Sequence, residues 1–266
     1  GRNYIPEEMK EKRWPTRREL DSVAPENPLI IMIRGYHAHV ANSRALQIAG
    51  ITKDTPNPDG GVIDKDTITG EPTGVLRDVS ILKDMAPKPT LADFKKGLAA
   101  ISEAYVKTGV TSTGEAGAPE TPDVLRAYQE AVAEGILKTR TYLMIKDEFY
   151  RKNDLGLRTG FGNDMLRLGA VKIFLDGSIQ CYTCAFYEPY KTRNTRGMEG
   201  LRFSQEKLKE VVAEAHLLGY QVAIHAQGDY GITIAVNSIE YAMKIHPRPN
   251  PRHRIEHCLC PTMGDL

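Results

Sequence analysis

Residues 169–179 read GAVKIFLDGSI, a short apolar run with one lysine in its middle. As a strand, with side chains alternating between faces, it points Val171, Ile173 and Leu175 one way and Lys172, Phe174 and Asp176 the other. That alternation puts an ammonium inside the protein. A buried lysine is costly while charged, so its stem snorkels to water, or it pairs with a carboxylate, or burial neutralises it and frees it for chemistry.

Working outward, strands are expected at 110–115, 139–145, 170–176, 221–226 and 254–257, alternating with helices at 123–133, 205–218 and 232–245. Gly109, Gly135 and Gly219 stand where helices turn back into strands. Such succession argues for parallel βα units, and in such folds the C-terminal strand ends carry the site. Glu115, Lys172 with Asp176, His225 and His257 each close one of these strands. The pattern predicts a (β/α) barrel with a metal centre. The sequence has no dinucleotide glycine fingerprint, no Walker loop and no G-x-S-x-G elbow, which weighs against the Rossmann and hydrolase-elbow alternatives.

Upstream, PLIIMIR (28–34) is continuously apolar, as a strand covered on both faces would be, and Asn42 can cap a short helix at 43–49. Turn chemistry fills 51–74 around an extended piece at 62–64, and a helix is expected at 75–85. The linker APKPT then ends in Thr90, a cap for the amphipathic helix 91–107. The expected division is a lead-in at 1–27 with a short helix at 17–22, an early barrel strand and helix at 28–50, an inserted turn-rich excursion and helix at 51–90, and central barrel units at 91–266. The lead-in does not look like a natural protein start.

The 266 residues include 35 Lys plus Arg against 34 Asp plus Glu, so no net field draws in nucleic acid or an anionic membrane. With 41% hydrophobic residues, no bilayer-length apolar run and no signal-peptide pattern, a soluble, cytoplasmic protein acting on small molecules is expected. A homo-oligomer is compatible with this composition.

Each candidate also has a plain structural explanation. His225 shares a strand face with Ala223 and Gln227, and a core histidine bonded to a backbone carbonyl would look the same. The same holds for His257, with Glu256 expected to face away and pair with an arginine. Together with Lys172 they form a constellation that is harder to explain as packing. His37-x-His39 has the spacing by which barrel hydrolases seat a metal, but it fits equally a loop touching substrate or solvent. Cys181 and Cys184 with Cys258 and Cys260 could instead build a structural zinc site, which would make the chain a non-catalytic α/β module.

The runs GYHAHVANSRALQIAGI, TGEPTGVLRD, GVTSTGEAG, VKIFLDGSIQCYTCAFYEPY, VAIHAQGD and RHRIEHC, in this order, resemble the metal-dependent amidohydrolases of family 3 type, the group that includes N-substituted formamide deformylase. The resemblance runs from about residue 14 to 258. It implies a distorted TIM barrel with one or two divalent metals, usually zinc, hydrolysing an amide or related C–N bond. Lys172 would be carboxylated and bridge the metals, and His225 and His257 would ligate the second. These three are the expected catalytic and metal residues. His37 would face the substrate rather than a metal, and Glu115 and Asp176 are expected to join it in the substrate pocket. The family's first-strand H-x-H would lie before Gly1 and its last-strand aspartate after Leu266, so this chain is expected to be an internal portion, about strands two to six, inactive alone. The resemblance leaves formamides, N-acyl amino acids, ureas and phosphoesters open as substrates, with loops around His37, Tyr182 and 51–74 selecting among them.

Overall fold

The computed structural model describes residues 4–35, 37–79, 88–117, 121–151 and 156–266. The lead-in carries α1 (Arg17–Val23), started by a capping box in which the Thr16 hydroxyl accepts from the Glu19 amide and the Glu19 carboxylate accepts from the Thr16 amide. It is pinned rather than trailing. Asp21 accepts from the Ser43 amide and hydroxyl, both at 2.7 Å, and the Asn42 side chain donates to the carbonyls of Ala24 and Asn27.

Strands β1 (Ile30–Met32) and β2 (Ala38–Ala41), then α2 (Ser43–Ile48), β3 (Val62–Lys65) and β4 (Pro72–Arg77), make a four-stranded antiparallel sheet in the order β1-β2-β4-β3. Two expectations fail here. Residues 28–50 do not supply a strand to the parallel sheet, because Gly35 (φ +90°) turns the chain back within a few residues, too few for a parallel crossover. Residues 75–77 are strand rather than helix: Val75 and Leu76 pair with Val40 and His39, and Gly74 at φ +99° lies against the Ala41 carbonyl. The part of the expected helix at 80–85 lies outside the described residues. Strands from both sides of the expected boundary at 50 share this one sheet.

The second sheet follows the sequence pattern closely. After α3 (Leu91–Lys107), capped by Thr90, come β5 (Ser112–Ala116), α4 (Pro122–Ala133), β6 (Arg140–Lys146), the single turn α5 (Asp147–Tyr150), β7 (Leu166–Phe174), α6 (Gln205–Leu217), β8 (Val222–Ala226), α7 (Asp229–Ile245) and β9 (Arg254–His257). The five strands lie side by side in chain order, all parallel, as a half-barrel. Its outer face packs Val171, Ile173 and Leu175 with Val222 and Ile224 against Leu208 and Val212 of α6 and Ile232 of α7. Met144, Ala170 and Ala223 form a separate cluster with Tyr142 on the inner face.

One extra residue in β7 decides which side chains face inward. Leu143 pairs with Leu168 but Ile145 with Val171, so β7 bulges at 169–170. A Cβ on Gly169 would come within 2.6 Å of the Tyr142 ring, so glycine is required. Past the bulge, Lys172 stands opposite Lys146 on one side and Ala223 on the other. Without it, the period-2 alternation would turn Lys172 toward the helices. Among the described residues no helix is long and apolar enough to cross a membrane.

At the N-terminal end of β8 a histidine relay closes the fold. The Val222 amide donates to His253 Nδ1 at 3.0 Å, so His253 carries its proton on Nε2, which reaches His216 Nδ1 at 2.9 Å. His216 then donates from Nε2 to the His246 carbonyl at 2.6 Å. Burial lowers both imidazoles, His253 to about 4. Both are neutral when folded, while an unfolded histidine takes a proton near its ordinary value of 6.5. Between about 6.5 and 4 the unfolded chain binds more protons, so stability is lost as pH falls through that window. Thermal melts between pH 7 and 5 should therefore show a falling midpoint. His253→Gln, which can accept from Val222 and donate to His216 without titrating, should make the decline shallower.

Candidate active site

Lys172 is only 2% exposed, and its Nζ has no hydrogen-bond partner among the described residues. It sits 4.3 Å from the centre of the Phe174 ring, two residues along the same strand face. Burial lowers its pKa to about 8, against the pull of the Glu256 carboxylate. Glu256 does not face away as expected: it stands opposite His225 in the register, and its ion pair with Arg254 (2.8 Å) is the predicted one.

His225 closes β8, 1% exposed. Its Nε2 lies 2.8 Å from the Gly177 carbonyl, so Nε2 carries the proton and Nδ1 is left as an acceptor. That Nδ1 accepts from His257 Nε2 at 3.1 Å. His257 leaves the strand alternation at φ +68°, a left-handed conformation unusual for a non-glycine residue, and this turns its ring to His225 at 4.4 Å between centroids. Burial pushes His225 down to about 3, and His257 shifts the same way, first by desolvation and then by the Lys172 charge. Both rings are neutral at pH 7, the form in which imidazole binds metal.

The remaining predicted site residues divide. His37 reaches the cluster, its ring 5.3 Å from that of His225 and its Nδ1 2.6 Å from Asp78 Oδ1. Asp176 reaches it too, but its oxygens are occupied by the amides of Ala185 (3.1 Å), Gln227 (3.0 Å) and Gly228 (3.0 Å). These bonds anchor the surrounding loops, and burial raises the Asp176 pKa to about 6 despite those amides. Glu115 does not arrive. It pairs in register with Leu143, whose side chain belongs to the helix-facing core, and it accepts from Tyr128 of α4 at 3.0 Å. His39 is not on a loop but in β2, buried, with no hydrogen-bond partner for its Nδ1 among the described residues.

The cysteines do not build the alternative zinc site. Cys181 and Cys184 are buried thiols, with Cys181 raised to about 12 by burial and Cys184 raised further. Cys184 donates to the Gly177 carbonyl at 3.3 Å. Among the described residues no group of three or more His, Cys, Asp or Glu is placed to hold a metal.

Asp78 was missed by sequence reasoning. The motif TGEPTGVLRD ends on it, but only the β2–β4 pairing, Ala38 opposite Arg77, brings the next residue on each strand together as His37 and Asp78.

Residues 1–261 match the model described as the amidohydrolase family. The chain belongs to the amidohydrolase family. It is 33% identical to amidohydrolase YtcJ of Bacillus subtilis (strain 168), over 95% of this chain and 47% of that protein. N-substituted formamide deformylase of Arthrobacter pascens is 29% identical, over 99% of this chain and 50% of that protein. A metal-dependent hydrolase of Pyrococcus horikoshii OT3 shares the fold with a TM-score of 0.62 at 27% identity, covering 90% of this chain and 47% of that one. The chain spans about half the length of the curated relatives it matches.

The residues present fit part of a metal site. Two imidazole nitrogens sharing a tetrahedral zinc at about 2.0–2.1 Å stand about 3.3 Å apart. The Nδ1 of His225 and Nε2 of His257 face each other at 3.1 Å, and the unpartnered Lys172 Nζ lies on the neighbouring strand. The spacing depends on the Gly177 carbonyl, and a Cβ on Gly177 would collide with Thr183 Oγ1 and lie 2.5 Å from Asp78 Oδ2. Gly177→Ala should therefore destabilise the protein by about 1–3 kcal/mol in denaturant unfolding, the usual cost of forced overpacking.

Proposed function

We propose that the intact protein is a metal-dependent hydrolase that cleaves the C–N bond of an amide or formamide with an activated water. One observation supports the reading: a buried Lys172 whose Nζ has no hydrogen-bond partner among the described residues, beside two neutral imidazoles, His225 and His257, whose Nδ1 and Nε2 meet in a hydrogen bond at 3.1 Å, close to the separation of two ligands of one metal. A packing role alone gives no reason to leave a buried ammonium without a hydrogen bond.

In this reading Lys172, His225 and His257 are metal ligands. Lys172 loses its proton more easily than an ordinary lysine, and its free amine can bond the carbon of carbon dioxide, releasing one proton and leaving an anionic carbamate oxygen as donor. His225 offers Nδ1 because Gly177 holds the proton on Nε2. A divalent metal, zinc in the simplest case, supplies a lowered water pKa and polarises the carbonyl under attack. The Phe174 ring shields Lys172 on one side, and His37 is the residue for contacting the substrate amide. The relative named N-substituted formamide deformylase supports formamides as the first substrates to assay.

In the full-length protein, elemental analysis should find one or two equivalents of divalent metal. Lys172→Ala and His225→Ala should each lose metal and at least about 10²-fold in amide hydrolysis, more than is typical of outer-shell changes. Full rates in both variants would overturn the assignment.

A further inference from the structure

We propose that Asp78 is a positioning residue that holds the His37 proton on Nδ1 and so presents the His37 Nε2 lone pair beside His225 as the acceptor for a substrate N–H. The substrate class this selects is amides that keep a hydrogen on the scissile nitrogen. The inference about substrate rests on the hydrolase reading; the inference about the proton does not.

The pair is held at two points. The Nδ1 edge of His37 meets Asp78 Oδ1 at 2.6 Å, and the Asp78 amide donates to the His37 carbonyl at 2.7 Å, extending the β2–β4 ladder by one rung. A carboxylate is acceptor-only, so the proton of this contact belongs to the imidazole. Nε2 then leaves the opposite edge of the ring and has no hydrogen-bond partner among the described residues.

Asp78 is itself over-determined. It sits at φ +54°, a left-handed conformation unfavourable for a non-glycine residue that persists where the surroundings impose it. The preceding Arg77 fixes the strand end by donating to Asp64 Oδ1 at 2.5 and 2.9 Å and to the Cys181 carbonyl at 3.1 Å. Asp78 Oδ2 is buried with no hydrogen bond among the described residues, aimed at the space where Gly177 lacks a Cβ. A carboxylate kept there for stability alone would have both oxygens satisfied. The same Gly177 offers its carbonyl to His225, so the His37–Asp78 pair and the His225–His257 pair rest on a common residue.

The test uses the full-length protein with 15N-labelled histidine, His37 being assigned by loss of its signals in His37→Gln. Long-range 1H–15N spectra should give His37 a protonated Nδ1 and an unprotonated Nε2. Asp78→Ala, or the isosteric Asp78→Asn if the alanine variant unfolds, should replace this with a mixture of tautomers. An unchanged Nδ1–H tautomer in the folded variant overturns the proposal whatever the activity. With metal content unchanged, the same variant should lower kcat at least tenfold on a secondary formamide, with a smaller change on its N,N-disubstituted analogue, and Asp78→Glu should restore part of the loss. Equal losses on both substrates overturn the substrate inference. A wild-type enzyme inert toward all amides overturns the hydrolase reading instead, and the spectra still decide the role of Asp78.

Discussion

The Asp176 carboxylate is buried just past the end of β7, and the backbone around it is folded to receive it. Amides from Ala185, Gln227 and Gly228 converge on its two oxygens, drawing together the loop after β7 and the loop after β8. Burying a carboxylate is unfavourable, and charge-assisted bonds to several amides offset that cost only in one backbone arrangement. This makes Asp176 a determinant of loop shape. With the loops drawn in, the Gly177 carbonyl is held beneath His225, Thr183 packs against Gly177, and Gly231 approaches Asp176 so closely that a Cβ there would lie 2.7 Å from its Oδ2. Three glycines around one acid, Gly177, Gly228 and Gly231, are the steric counterpart of that electrostatic demand.

The site draws on both sheets. The half-barrel supplies Lys172, Phe174, His225 and His257 from adjacent parallel strands, while the antiparallel sheet supplies His37 and Asp78 from the paired ends of β2 and β4. Contacts between them include Arg77 to the Cys181 carbonyl, the tilted rings of His37 and His225, the approach of Asp78 to Gly177, and the apolar packing of Ile33 and Ala38 on Cys181. Parallel strand ends hold groups in a row at the sheet's spacing but cannot add a group above that row. The paired ends of two antiparallel strands, β2 and β4, can, which is a physical reason for a small antiparallel sheet to accompany this half-barrel.

The half-barrel was legible because each of its signals is local. Glycines end the helices, apolar runs of strand length follow, and polar residues close them, so β5 to β9 emerge within a few residues of their observed bounds. The antiparallel sheet was not, because PLIIMIR reads alike for either strand direction and pairing is a long-range property. Residues 75–77 read as helix because Val, Leu and Arg suit either state, and only pairing with β2 decides between them. Side-chain parity succeeded for Lys172, since the β7 bulge precedes it, and failed for Glu256, where facing depends on the neighbouring strand. Asp176 was found by position, but no sequence pattern reveals the three amides that arrive from elsewhere to hold it. Asp78 stood in a recognisable motif without a sign of its partner 41 residues away.

Of the three fates open to the lysine of GAVKIFLDGSI, the structure removes two. Its stem does not snorkel, because the residue is 2% exposed. Among the described residues no carboxylate hydrogen-bonds it: Glu256, whose charge pulls on it, is held by Arg254, Asp176 is held by backbone amides, and Nζ lies over the face of Phe174. What remains is a lysine poised between charge states. A pKa of about 8 leaves roughly a tenth of the amine neutral at pH 7, against well under a thousandth for an ordinary lysine. That fraction is nucleophilic, and any reaction or ligand that consumes the neutral amine draws the rest of the population after it. The burial that makes Lys172 unfavourable as a structural residue is the property a reactive amine requires.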